Sequence, residues 1–167
     1  MKDKRLLIVG AGRFGQMVKE IATETGVFSR IDFLDDSSSA AIGKIEDLPR
    51  YVGEYGFAIC AIGNPEVRGG ITESIVSCGY SLARIVSLSA YVSPSAVLDD
   101  GVIVEPLAVI QMGVTVGVGS IVSSGAVLRH DSHVGKMCHV DCGAVVRSGS
   151  SVPDRAKVQC LTAFENN

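Results

Sequence analysis

The chain has three histidines in 167 residues, and all of them fall within "RHDSHVGKMCHVDCG", at His130, His133 and His139. Imidazoles in such a cluster have three chemistries open to them: metal ligation, general-base catalysis, and plain solvated polarity. A zinc-type centre needs three protein ligands within tetrahedral reach. No histidine lies outside this stretch, and Cys60, Cys78, Cys138, Cys142 and Cys160 lack the C-x-x-C spacing of zinc knuckles.

A second candidate is "GAGRFG", where Gly10, Gly12 and Gly15 spell G-x-G-x-x-G between the apolar run "RLLIV" and a helical pattern, "FGQMVKEIATETG". Such a turn brings backbone N–H groups and a helix N-terminus close to a phosphate. Asp35 lies twenty residues beyond Gly15, where a dinucleotide-binding protein places its ribose ligand. Three readings stand: a nicotinamide site, a nucleotide diphosphate attached to something smaller, and a tight turn with no ligand. About eighty residues make only half of a full dinucleotide fold, which favours the second reading over the first.

The elements that position these groups come in two kinds. Residues 1–84 alternate strands ("RLLIVG", "RIDFLDD", "YGFAICAIG", "SLARIVS") with helices, the second of which opens at Pro65, while Gly26 stops the first. That alternation predicts a half-Rossmann α/β domain built on a small parallel sheet. Over residues 85–167 the period changes to six. An aliphatic residue recurs at every sixth position from Val86 through Leu98, Ile110, Val122, Val134 and Val146 to Val158. A second series, mostly small, follows four residues later, as at Ala90, Ala108, Ala126, Cys138 and Ala144. One branched and one small residue per hexapeptide predict a parallel β-helix, with three hexapeptides in each triangular coil of about 18 residues. Gly101, Gly113, Gly119, Gly125, Gly143 and Gly149 share one further slot, at the corners, where positive φ is favoured.

On such a prism successive hexapeptides lie on different faces. His133 and His139, six apart, therefore diverge instead of converging on one ion, and no metal is expected. Trimer symmetry alone could complete such a site. Composition narrows the function further. A net charge of −3 removes the attraction that a nucleic-acid binder shows. No apolar run approaches the roughly 18 residues of a membrane span, and the N-terminus reads as a strand instead of a signal peptide. An odd number of cysteines without disulfide spacing reads as reduced thiols in a cytoplasmic protein.

"LLIVGAGRFGQMVKEIA", "FLDD", "AIGNPEVR" and the hexapeptide block, in that order, resemble the sugar O- and N-acetyltransferases of the sialic-acid and bacillosamine pathways, a hexapeptide-repeat acyltransferase family. The resemblance implies that the β-helix is left-handed and that the active form is a homotrimer. It also implies that acetyl-CoA binds as co-substrate between subunits and that the N-terminal domain binds the acceptor, often a UDP-linked amino sugar. By position, Asp35 and Asp36 would meet the base or ribose. Gly12, Arg13 and Phe14 would lie by the phosphates and sugar, with Asn64 and Arg68 near the same pocket. His130 matches the catalytic histidine, Asp131 the acidic residue that follows it, and His139 a second histidine that touches the coenzyme. His133 matches no role and reads as solvent-facing.

Acetyl transfer to an amine or hydroxyl needs a base for the proton, a carboxylate to orient that base, and a donor for the developing oxyanion. A histidine, ordinarily titrating near about 6.5, suits the first task. The expected activity is thus acetyl-CoA-dependent N- or O-acetylation of a sugar. Departures from the family pattern are present. Phe14 stands where relatives carry a histidine, and Ser148 and Gly149 replace the usual glycine-bearing segment by the coenzyme. The chain ends nine residues after Val158 where relatives add coils. A shortened helix leaves an open sheet edge unless the tail or a partner covers it. The alternative reading is a catalytically reduced trimeric module that keeps the nucleotide-sugar site but lacks a full coenzyme groove.

Overall fold

A computed structural model describes residues 4–166. The chain divides into two compact units, Met1–Ala83 and Arg84–Asn167. In the first, β1 (Arg5–Val9), α1 (Arg13–Glu24), β2 (Arg30–Leu34), a 3-10 turn (Ile45–Asp47), α2 (Leu48–Tyr51), β3 (Phe57–Cys60), α3 (Pro65–Ser77) and β4 (Ser81–Leu82) follow in order. The sheet runs β2-β1-β3-β4 with every pairing parallel. Leu6 to Val9 of the central strand are wholly buried, as a parallel strand covered on both faces requires. Helix α1 turns Val18, Ile21 and Ala22 inward at helical spacing, and Gly26 at φ 64° ends it. The short helical pair over residues 45–51 is not legible in the periodicity, because it is less than two turns long. It is anchored instead by the Tyr80 hydroxyl, which donates to the Leu48 carbonyl (2.7 Å).

"SLARIVS" is not one strand. Its first part is β4, paired to β3, and its second is β5 (Ile85–Val86), paired in the other unit. The apolar pattern is continuous, yet the change of partner falls at Ala83–Arg84, inside it.

The second unit holds β5 to β18, two residues each, one in every hexapeptide: Ile85–Val86, Tyr91–Val92, Val97–Leu98, Ile103–Val104, Val109–Ile110, Thr115–Val116, Ile121–Val122, Val127–Leu128, His133–Val134, His139–Val140, Val145–Val146, Ser151–Val152, Lys157–Val158 and Ala163–Phe164. Each pairs in parallel with its neighbours one full coil away, giving three sheets: β16-β13-β10-β7, β17-β14-β11-β8-β5 and β18-β15-β12-β9-β6. This is the hexapeptide β-helix. The second residue of each strand and the residue four positions later fill the interior: Val104, Ile110, Val122, Leu128, Val134 and Val146 are fully buried with Ala108, Ala126, Cys138 and Ala144 between them. Each fully buried Val, Leu or Ile is worth about 1.5–3 kcal/mol, so strands too short to be stable alone are held by stacking. The aliphatic series goes one step beyond Val158: Phe164 occupies the next place and packs against the same core.

Corner residues at every sixth position from 101 to 161 adopt positive φ. The six glycines of that slot do so (φ 64–74°), and so do Leu107, Asp131, Met137, Arg155 and Leu161 (φ 55–62°). A non-glycine residue there costs about 1–2 kcal/mol. Beside β16 the Asn166 side chain accepts from the Ser151 N–H and donates to the Ser151 carbonyl, both at 2.8 Å, imitating a further strand.

Candidate functional site

His130 and Asp131 form the corner by which the chain leaves β12 for β13. Asp131, at φ 59°, places its Oδ2 3.0 Å from His130 Nδ1. A carboxylate only accepts, so this contact assigns the hydrogen to Nδ1 and leaves the Nε2 lone pair outward. The backbone here is fixed from the coils on either side. The His130 N–H donates to Gln111 Oε1 (3.0 Å), the Asp131 N–H to the Met112 carbonyl (2.9 Å), and the Gly149 N–H to the His130 carbonyl (3.2 Å). A Cβ added to Gly113 would collide with Asp131 Oδ1. Both side chains of the pair are exposed, so a reactant could reach them.

Ser148 and Gly149 follow one full coil later, at the same corner. Among the described residues the buried Ser148 Oγ has no hydrogen-bond partner, and nothing stands within 4 Å of where a Gly149 Cβ would be. A buried hydroxyl without a partner is rare in a native structure, and the corner at Gly149 is open.

His139 opens β14, in a different sheet. Its Nε2 lies 2.9 Å from Ser123 Oγ, which donates to Glu105 Oε1 at 3.2 Å. With that single hydrogen spent, Ser123 accepts from His139 Nε2–H. Glu105 is buried, and its Oε2 takes both the N–H and the hydroxyl of Ser124 at 2.9 Å. Asp141 Oδ1 is 3.9 Å from the same imidazole nitrogen. Lys157, at 2.9 Å from Asp141 Oδ2, holds that carboxyl below the usual carboxylate range, aided by the Cys142 N–H. Gln111, Glu105 and Ser123 escape motif reading, and Gly113 reads only as a corner glycine, yet each sits close to one coil before a residue of the site. Stepping back by that interval along the sequence would have reached them.

His133 stands on the outer side of β13, with Nδ1 2.6 Å from Thr115 Oγ1 of the neighbouring strand. The three histidines thus occupy a corner and two different sheets. Among the described residues no group of three or more His, Cys, Asp or Glu could hold a metal ion.

In the first unit the three glycines of the turn have separate tasks. Gly10 is at φ 106°, with the Ala61 carbonyl 2.9 Å from where its Cβ would be; Gly15 packs onto the Gly10 carbonyl, where a Cβ would collide; Gly12 caps α1 and faces open space. Arg13 is exposed and Phe14 partly buried, and no acidic side chain occupies the first turn of α1. The carboxylate of Asp35 is spent within the chain. Oδ2 accepts from the Ala11 N–H (2.8 Å), and Oδ1 from the N–H groups of Ser37 and Ser38 (both 2.9 Å). The Ala11 bond, then those of Ser37, hold this carboxyl below its ordinary value. Asp36 Oδ1 accepts from the Ile45 N–H (3.0 Å) and borders an open cleft of about 920 Å³ shared with Lys44, Leu48 and Ile71.

Asn64 and Arg68 both have structural partners within the chain. Asn64 Oδ1 caps α3 through the N–H groups of Glu66 and Val67 (3.0 and 3.1 Å). Arg68 is 1% exposed and donates to the carbonyls of Ile62 and Gly63 (3.0 and 2.6 Å). The motif "AIGNPEVR" is a strand-to-helix joint, which needs a cap and a buried donor whether or not a ligand binds.

Comparison with known proteins agrees with this anatomy. Residues 5–75 match the family of the PglD N-terminal domain. The acetyltransferase domain of PglB from Neisseria gonorrhoeae is 27% identical, with a TM-score of 0.82 over 94% of this chain and 92% of that one. Its structure with acetyl coenzyme A superposes at 26% identity and a TM-score of 0.71, covering 95% and 92%. A histidine-to-asparagine mutant of perosamine N-acetyltransferase from Caulobacter crescentus, in complex with CoA and GDP-perosamine, is 26% identical with a TM-score of 0.87 over 91% of this chain and 75% of that one. In sequence and fold the chain is similar to acetyltransferases of the hexapeptide type. No helix among the described residues is long and apolar enough to cross a membrane.

Proposed function

We propose that the chain transfers the acetyl group of acetyl-CoA to the amino group of a nucleotide-linked sugar, with His130 as general base. The observation that carries this reading is the 3.0 Å contact from Asp131 to His130 Nδ1, which aims Nε2 away from the corner. Nε2 takes the proton from the acceptor nitrogen as the new N–C bond forms and the C–S bond of the thioester breaks. Asp131 offsets the positive charge that appears on the imidazole. Oxygen acceptors would use the same base. In the first unit, Gly12 and Arg13 at the uncompensated N-terminus of α1 suit the diphosphate, and Asp36 borders an open cleft with ample room for a nucleoside. Asp35 acts by shaping the turn. Ser148 and Gly149 fit the coenzyme's path along the His130 corner, and His139, with its tautomer set through Ser123 and Glu105, fits a donor to the thioester region.

His130 and His139 flank opposite edges of one face of the prism, which points to a homotrimer. That face carries an outward apolar column, Tyr91, Val109, Val127, Val145 and Ala163, in strand register. The neighbouring face presents Val97, Thr115, His133 and Ser151. Three copies packed through the apolar column would bring the His130 edge of one against the His139 edge of the next. Thiol release from acetyl-CoA in the presence of UDP- and GDP-linked amino sugars tests the function. His130→Ala should lower kcat about 10²–10⁴-fold and Asp131→Asn by a smaller factor. Normal turnover by His130→Ala would reject the assignment.

A further inference from the structure

Two of the five thiols stand apart from the rest. Cys60 and Cys138 are buried and Cys78 partly so, whereas Cys142 and Cys160 are exposed. The two exposed thiols are separated by one full coil and occupy the same corner slot. The strands before them pair in register (His139 with Lys157), as do the strands after them (Val145 with Ala163). Between those pairings the Leu161 N–H donates to the Cys142 carbonyl at 3.0 Å. The coils are close enough here that a Cβ on Gly143 would lie 2.7 Å from Leu161 Cδ2. Neighbouring strands run about 4.7–4.9 Å apart. That spacing falls inside the Cα separation of about 4.4–6.8 Å that a disulfide requires.

We propose that Cys142 and Cys160 form a reactive dithiol that takes a small-molecule disulfide as oxidant and closes into one intrachain bridge. The thiolate of Cys160 attacks the oxidant and forms a mixed disulfide as the first small thiol leaves. The thiolate of Cys142 then attacks the Cys160 sulfur and expels the second. The protein loses two protons and two electrons, and the oxidant becomes two thiols. Cys142 is the slower partner: burial first, then the carboxylates of Glu105 and Asp141 and the neighbouring Cys160, raise its thiol above the ordinary range. The bridge ties the coil of β17 and β18 to that of β14 and β15, beside the Asp141 carboxylate whose Oδ1 accepts from the Cys142 N–H at 2.8 Å.

The test is to incubate the folded full chain with oxidised glutathione, quench in acid, alkylate under denaturing conditions and map the peptides without reduction. The expected result is loss of two of the five thiols, recovery of a peptide joining Cys142 to Cys160, and full reversal by dithiothreitol. Cys142→Ser should instead retain glutathione on Cys160. Glutathione held separately on both cysteines of the unmodified chain, a bridge between two chains, or no thiol loss at all would each overturn the proposal, and none of these readouts depends on the variant folding.

Discussion

The Asp131 carboxylate lies over Gly113, in the space that any side chain at that position would need. The two share a corner slot on adjacent coils, both at positive φ (59° and 69°). Gly113→Ala therefore meets a strained backbone and a collision that pushes Asp131 away from His130. We expect a loss of about 1–2 kcal/mol in urea unfolding, with turnover reduced toward that of Asp131→Asn. Unchanged turnover would mean that the pairing of Asp131 with His130 does not matter.

Glu105 is the buried end of the chain of contacts that reaches His139. In Glu105→Gln the amide presents a donor where a carboxylate oxygen now accepts, so one partner among Ser123 and Ser124 is left unpaired. The expected cost is about 1–3 kcal/mol. If His139 serves the coenzyme, KM for acetyl-CoA should also rise, by about tenfold for each 1.4 kcal/mol of lost positioning, with kcat changed less. A stability loss without any change in KM would confine Glu105 to the scaffold.

Asp35 should leave a signature in acid. Its carboxyl is held below the usual value, chiefly by the Ala11 N–H, so the folded state binds its proton more weakly than the unfolded state. Stability from this group is fully present above the unfolded value of about 3.9 and is lost as pH falls through the lower folded value. The urea midpoint of the native chain should exceed that of Asp35→Asn at pH 7, and the gap should narrow below about pH 4. A gap that is constant with pH would show that the charge contributes nothing.

Val127 sits mid-column on the apolar outer face. In the proposed trimer Val127→Glu would place a charge in the centre of the packed surface, and sedimentation should show monomers with the β-sheet circular dichroism retained. If the site is shared between neighbours, mixing His130→Ala and His139→Ala subunits should restore part of the activity that each lacks, since some clefts then draw both native histidines from different chains. Absence of complementation would place both groups in one chain.

Most of the second unit was legible because its hydrophobic period leaves one solution. A valine or its equivalent at every sixth place and a small residue four later force the same turn again and again, and the glycine slot marked the corners. The same period hid what lies across coils. Gln111, Glu105 and Ser123 carry no motif, Gly113 carries only that of a corner, and they matter because one circuit of the prism brings them beside the residues of the site. In the first unit the glycine turn read correctly for its backbone. That Asp35, Asn64 and Arg68 also build a turn, a cap and a joint was not legible, because a side chain that builds a turn and one that touches a ligand look alike in one dimension.

The fixed circumference of the prism also restricts how such a chain can change in length. Adding or removing a single hexapeptide between Gly113 and His130 would swing every later position through a third of a revolution, sending the imidazole to another facet and separating Asp131 from the glycine beneath it. Only whole coils shift the corner along the axis and keep its neighbours with it, so viable insertions should come in complete coils or loop out at a corner.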